Sequence, residues 1–387
     1  MLPIFNEYGI FLKDKGIDLS NYREDTLWID RQIIKGFNKS GSVEKILRIK
    51  IDEDLNVSHK FYPKEVVAED LENWEETYIR LENEIVKKEK ESIRVLLELT
   101  EKYKNHQVIL NTSTGKDSML VDYLCNKSNI KIDRKLFNNT TMDTADTYKI
   151  AKSDKQIEII TPKMADGSNR SFYTMIKKHG VPSRHHRWCC THFKEGGSAQ
   201  YLKGEDNLLF IMGMRNEESS SRANYRFEWA NEQWNNKTWT SILPIRKWTE
   251  LELWVYTIHN NIHINPKYKK GYSRCGCHIA CPFYAKSTWV LDKYWYQVQY
   301  DRFHEILKND FIDNQKWTRL NCTEHEYHSN WNGGVVRETP TEEVVQEFAD
   351  YKNILSNLLK NTLLKLVVSV ITPKETQQQL IKKTKWQ

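Results

Sequence analysis

The stretch His106–Leu120, HQVILNTSTGKDSML, limits what this chain can fold into more than any other. An apolar run, Val108-Ile109-Leu110, stops at Ser113-Thr114-Gly115-Lys116-Asp117-Ser118, and Met119, Leu120 and Leu124 follow at helical spacing. The pattern predicts a buried strand, a tight polar loop and the start of a helix. Such a loop gathers backbone N–H groups and the positive end of a helix at one point, where phosphate is the natural occupant. Gly115 permits close approach of the backbone, Lys116 adds a cation, and the hydroxyls of Ser113, Thr114 and Ser118 add donors. The common P-loop is excluded, because it needs Gly at 110 and Ser or Thr at 117, where Leu and Asp stand. The competing reading is a surface turn capping a helix, with Asp117 placed only to favour the helix dipole.

Three further strands are expected at Ile130–Phe137, Gln156–Ile160 and Asn207–Met212, with a helix starting near Thr144. Strands alternating with helices predict an α/β fold with a doubly wound, mainly parallel sheet. Ligands of such sheets sit beyond the carboxyl ends of the strands. Ser113–Ser118, Asn139–Asp143 and Gly213–Arg222 are polar segments that all fall at such ends.

Three regions are expected. Residues 1–104 form an N-terminal α+β extension, with a hairpin at Ile46–Val57 and a charged amphipathic helix between Val66 and Tyr103 for packing or subunit contact. Residues 105–290 form the nucleotide domain, and 291–387 a helical C-terminal extension whose apolar face runs from Val344 to Val367. That face suits docking on the chain's own core or assembly into a homo-oligomer. The net charge of +6 permits an anionic partner without demanding one. No apolar stretch is long enough to span a membrane, and the start of the sequence lacks a secretory pattern, so a cytoplasmic location is expected. Five of the seven cysteines fall in two tight groups, Cys189-Cys190 and Cys275/Cys277/Cys281, which points to metal or redox chemistry rather than disulfides.

The opening loop resembles the S-G-G-x-D-S loop of the PP-loop pyrophosphatase superfamily, with Thr114 in place of one Gly. Phe172…Gly180-x-Pro182…Arg187-x-Cys189-Cys190…Lys194 is similar to a segment of the phosphoadenosine phosphosulfate (PAPS) reductase family. So are Gly213-x-Arg215…Glu218-Ser219…Arg222, Pro244-Ile245…Trp248…Trp254-x-Tyr256, and Asn265-Pro266-x-Tyr268…Cys277…Cys281-Pro282. The resemblance covers about residues 105–285 in unbroken order.

What it implies is a site for an adenine nucleotide: ATP, adenylyl sulfate or PAPS. Ser113 to Ser118, Arg187, Lys194, Gly213, Arg215 and Arg222 would hold the nucleotide, with Asp117 and Asp143 as candidates for Mg2+. The cluster-bearing branch of the family, similar to the DNA-phosphorothioation enzymes, implies a 4Fe–4S cluster on Cys189, Cys190, Cys277 and Cys281. The last pair departs from the family by C-x3-C spacing, and Cys275 is an additional thiol, either a replacement ligand or a carrier of sulfur. Zinc is the alternative, with His185, His186, His192 and His278 near enough in sequence to contribute.

Two reactions follow from the resemblance. One is ATP pyrophosphatase chemistry, in which Lys116 and Asp117 act on the phosphates and an adenylated acceptor such as DNA or tRNA receives sulfur from Cys275, a cysteine desulfurase or another donor. The other is reduction of a sulfonucleotide. Against it, the mobile Glu-Cys-Gly-x-His nucleophile is not evident, because Cys322 lacks the acidic neighbour and the Gly. A nucleotide-sensing subunit without turnover is a third reading. The Trp-rich segment Tyr225–Trp239 is expected to pack over the site or to contact a base or partner.

Overall fold

The computed structural model describes residues 1–230, 239–333 and 341–371. The chain forms two compact units, Met1–Phe303 and His304–Gln387. The boundary expected near residue 104 is therefore no structural break, and the boundary expected near 290 falls after Phe303.

The first unit opens with β1 (Leu2–Pro3), α1 (Asn6–Asp14), β2 (Trp28–Asp30), β3 (Ile33–Phe37), β4 (Val43–Ile51) and β5 (Val57–Phe61). The strands form an antiparallel sheet in sequence order. The expected hairpin is β4–β5, and Asp52 closes its turn by accepting the Asn56 N–H at 2.8 Å. The charged helix is α2 (Trp74–Lys102), started by an Asn73/Glu76 capping box. Its stripe of Tyr78, Ile85, Ser92, Val95 and Leu96 is buried.

A second sheet follows, built from β6 (Gln107–Asn111), α3 (Lys116–Lys127), β7 (Arg134–Asn138), α4 (Ala145–Ser153), β8 (Ile157–Ile160), α5 (Phe172–His179), α6 (Gly196–Tyr201), β9 (Leu208–Ile211), β10 (Glu228–Ala230), β11 (Trp239–Ile242) and α7 (Glu250–His259). Its order is β10-β11-β9-β6-β7-β8, parallel except for β10. The doubly wound parallel fold is thus present. The second strand starts later than expected, at Arg134. Part of the Trp-rich segment supplies β10 and β11, while residues 231–238 lie outside the described residues. Trp239-Thr-Ser-Ile reads as the end of an insert because it is short and lacks an apolar run, yet all four residues are buried against β9.

Alternation along the strands divides the sheet's side chains between two cores. Val108, Leu110, Leu209 and Ile211 join Trp28, Ile34, Leu47 and Ile85 in one, and Ile109, Leu136, Leu208 and Phe210 join Leu202 and Trp239 in the other. Burial on both faces is why the strands read as continuous apolar runs. The first core passes through both sheets, which makes the N-terminal sheet part of the nucleotide domain's own body. From β6 the chain runs outward to β7 and β8 and then crosses back to add β9 on the other side of β6, so the carboxyl ends of β6 and β9 flank a topological switch point.

In the second unit Trp317 stacks on Tyr351 at 4.8 Å, and Tyr327 donates to Asp310. Its last helix, Glu342–Ile371, buries Val344 but leaves Val345 and Ile354 exposed, so the expected apolar face is only partly covered. The side chains from Leu358 onward that were assigned to that face, and Leu355, lie outside the described residues.

Candidate functional site

The loop after β6 turns within four residues, and Gly115 forms the N-cap of α3. The Ser118 hydroxyl donates to the Gly115 carbonyl at 2.9 Å and accepts the Ser113 N–H at 3.3 Å. Thr114 holds φ +54°, a left-handed conformation costly for a β-branched residue. It is fully buried, and the side-chain amide of Asn265, itself fully buried, donates to its hydroxyl at 3.0 Å. The Tyr268 hydroxyl accepts the Lys116 N–H at 3.0 Å, occupying one of the free donors of the helix end. A Cβ on Gly115 would stand 3.0 Å from Cys275 Sγ and 3.2 Å from the Tyr268 hydroxyl, so the loop is packed from below.

The end of β9 presses on the same turn. A Cβ at Gly213 would lie 2.7 Å from the Asp117 carbonyl carbon, a contact that backbone cannot relieve by rotating away. Two residues on, Arg215 is almost wholly buried in a cage of carboxylates. Its Nε meets Asp117 at 2.5 Å, one terminal nitrogen meets Glu217 at 3.1 Å, and the other pairs with Glu250. Lys116 Nζ lies 3.1 Å from Asp117 and 3.5 Å from Glu250. Burial opposes the charge on Lys116, but Asp117 and Glu250 outweigh it and hold its pKa above the ordinary value. Burial likewise opposes the Asp117 carboxylate, and Lys116 and Arg215 outweigh it and hold that pKa low. Both oxygens of Asp117 are therefore already neutralised. Asp143 is also engaged: it accepts from the Thr140 hydroxyl at 2.6 Å and from the Cys277 N–H at 3.1 Å. Both carboxylates that were expected to meet Mg2+ are engaged by groups of the protein.

The thiols separate into two places. Cys275 is buried under the phosphate loop, 3.6 Å from the Ser113 carbonyl and from the Tyr268 hydroxyl, and burial raises its pKa. Those surroundings favour a protonated packing thiol over the expected sulfur carrier. Cys189 and Cys190 share a hydrogen bond and sense Cys277, Cys281 and the ammonium of Lys194. Within that vicinal pair the shared hydrogen bond raises the Cys189 pKa and lowers that of Cys190, to about 6. Lys194 Nζ bonds Cys277, whose thiolate form is the main reason the Lys194 pKa rises, while burial pushes the Cys277 pKa itself up to about 12. The residues Cys190–Glu195 form a π-helix, a form concentrated at functional sites. Cys277 and Ile279 hold φ of +50° and +58°, and the turn is pinned by Asp143 and by the His278 N–H on the Met142 carbonyl at 2.8 Å.

Among the described residues no three His, Cys, Asp or Glu side chains stand close enough to share a single metal ion. The histidines do not supply the missing ligands: His185 and His186 are exposed, His192 bonds Arg170 at 3.2 Å, and His278 packs on Tyr296 at 4.3 Å between centroids. The Lys194 ammonium is acted on by Cys277, Cys281 and Cys190, and Cys189 by those same three thiols.

A cavity of about 290 Å³ opens beside the end of β6. Asn111 at the end of β6, Lys194, Met212, Arg222, Trp229 and Trp239 are among its walls. Arg222 pairs with Glu218 and remains partly exposed toward the cavity.

Residues 107–282 match the phosphoadenosine phosphosulfate reductase domain. This chain carries a PAPS reductase domain. Two uncharacterized proteins of Methanocaldococcus jannaschii are 26% and 27% identical over 70% and 66% of the chain, which spans 64% and 51% of their lengths. A protein named adenosine 5'-phosphosulfate reductase, from Bacillus cytotoxicus, is 24% identical over 53% of this chain and 85% of its own. The PAPS reductase of Candida auris is a solved structure with 17% identity and a TM-score of 0.38, covering 48% of this chain and 87% of its own.

The PAPS reductase domain brings Ser113–Ser118, Gly213, Arg215, Lys194 and Arg222 to one end of the sheet. Arg187 is exposed beside Phe283, 5.3 Å from its ring, nearer the thiols than the phosphate loop. Glu250, Asn265 and Tyr268 were not singled out as site residues from sequence, although Asn265 and Tyr268 stood in the quoted N-P-x-Y motif. Glu250 carried no signal beyond that of a first-turn acid. No helix among the described residues is long and apolar enough to cross a membrane.

Proposed function

We propose that this chain activates an acceptor with an adenine nucleotide and passes sulfur through the thiol group beside it. The observation that carries the reading is the cavity that opens at once on the phosphate-loop strand, on Arg222 and on Lys194 at the thiols. In this reading the nucleotide base lies among Met212, Trp229 and Trp239, and its phosphates meet the N-terminus of α3. Lys116 and Arg215 keep a fixed positive field behind them, set in place before the substrate arrives. Cys189, Cys190, Cys277 and Cys281 would hold a 4Fe–4S cluster, which supplies electrons or sulfur when bound. Lys194 steadies the thiolates by its charge, and Asp143 fixes the turn that carries Cys277. Mg2+ enters with the nucleotide's own phosphates in this scheme, and no step depends on a protein carboxylate holding it.

The names of the Bacillus relatives favour a second reading, reduction of adenylyl sulfate. Cys322 is fully buried, which does not suit a mobile nucleophile for that reaction. The product assay decides. Anaerobically prepared protein is incubated with ATP and Mg2+ plus DNA or tRNA, and separately with adenylyl sulfate plus a thiol reductant. AMP with pyrophosphate is the expected result. Sulfite release would replace the reading with reduction, and no product with intact nucleotide binding would leave a sensor. A colourless preparation with stoichiometric zinc would remove the cluster.

A further inference from the structure

We propose that the basic rim beside the thiols, built from the end of α5 and the loop after it, docks a nucleic-acid strand by its phosphates. The proposal rests on the reading above of a site that acts on an acceptor, and it names the acceptor's class and its surface. Residues 163–195 carry seven Lys and Arg against two Asp and Glu, a net of +5, where the whole chain carries +6. That local excess of base is far above the average of the chain.

Four of the seven cations there stand without an acid among the described residues. Lys177, Lys178, Arg184 and Arg187 are exposed, and among the described residues none has a carboxylate at ion-pair distance. Other basic side chains of the same unit are held by carboxylates, as in Lys88–Glu252, Arg134–Glu158 and Lys135–Asp122. Exposed cations kept apart from acids maintain a positive field that costs stability unless an anion answers it. The field is felt locally: the His179 pKa is lowered by burial, and then by Lys178, His186 and Arg170.

Aromatic rings are interleaved with the charges. Arg302 lies 3.8 Å over Tyr173 and Arg187 5.3 Å over Phe283, and Phe283 is 45% exposed. Guanidinium and ring faces presented together offer stacking platforms for bases as well as charges for phosphates, which an acidic protein surface would leave unused. The rim also reaches the chemistry. Arg184 Nε donates to the Pro282 carbonyl at 3.2 Å, next to Cys281, and Arg187 stands two residues before Cys189. A strand held on these cations would pass beside the thiols.

The test is fluorescence anisotropy of the full chain with a labelled single-stranded oligonucleotide across a salt series, with duplex and polyglutamate as further arms. Binding should weaken with salt, and replacing Lys177 and Lys178 with Ala should lower the log–log slope by about 1.4, at about 0.7 per phosphate contact. Lys177→Glu/Lys178→Glu/Arg184→Glu should weaken binding about tenfold or more at low salt. Lys50→Glu/Lys60→Glu, exposed on β4 and β5, should leave it unchanged. Equal binding of polyglutamate, equal loss in the β4/β5 variant, or no oligonucleotide binding at low salt would each overturn the proposal. Calorimetry of ATP binding on the same preparations separates this from failure of the nucleotide reading, because none of the substituted residues belongs to the nucleotide site.

Discussion

The phosphate loop and the Cys277 turn are neighbours through Cys275, yet they are built on opposite terms. In the loop every strained or charged element has its partner inside the protein: Thr114 leans on Asn265, and Arg215 and Lys116 on Asp117 and Glu250. The turn is anchored through its backbone, to Asp143 and Met142, while its Cys277 side chain meets other thiols and one ammonium. The first region is preorganised before any ligand arrives. The second is a scaffold that holds donor atoms for something else to complete. A stability measurement should therefore be sensitive to the loop, and a ligand-loading measurement to the turn.

The largest effect expected is from Arg215→Ala, which leaves Asp117 and Glu250 with Lys116 as their single cation and Glu217 without its partner. A loss of about 3–5 kcal/mol is expected for breaking such a buried pair, read by urea unfolding. A loss under about 1 kcal/mol would mean that the cage does not hold the loop. Gly213→Ala forces a Cβ against the backbone of Asp117 and should cost about 1–3 kcal/mol. It should also weaken ATP binding, because the turn must shift, and unchanged affinity in calorimetry would break the link between β9 and the loop.

Thr114 sharpens the comparison further. Thr114→Val keeps the left-handed strain and loses the Asn265 bond, so about 1 kcal/mol should go. Thr114→Gly loses the same bond but relieves about 1–2 kcal/mol of strain, so it should lie near the wild type. A Gly variant less stable than the Val variant would contradict the strain.

An effect of pH concerns the buried set behind the turn. Burial pushes the Asp292 pKa up to about 7, against the ordinary carboxylate near 4, with Lys267, Tyr272 and His278 around it. The folded state then binds a proton that the unfolded state releases between about pH 4 and 7. The stability this contributes is complete below that window and is lost as pH rises through 7. Asp292→Asn should lose less stability than the wild type between mildly acidic and alkaline pH in thermal unfolding. A parallel pH profile would show that Asp292 stays ionised.

Much of the site was legible because its chemistry is local. Gly115, Lys116 and Ser118 act through a turn written in six consecutive residues, and the alternation of strands and helices determined that this turn would sit at a sheet's carboxyl end. The thiol groups could be read as two clusters, since each is carried on one short segment. Tertiary structure alone decided which of them meet. It put Cys275 under the loop and left Cys189, Cys190, Cys277 and Cys281 together, because the turn at Cys277 reverses the chain between neighbouring cysteines. It also gave Asp117 and Asp143 partners far away in sequence, Arg215 and the Cys277 amide. Spacing reveals which groups a segment carries. Only packing decides whether their lone pairs and charges are already used.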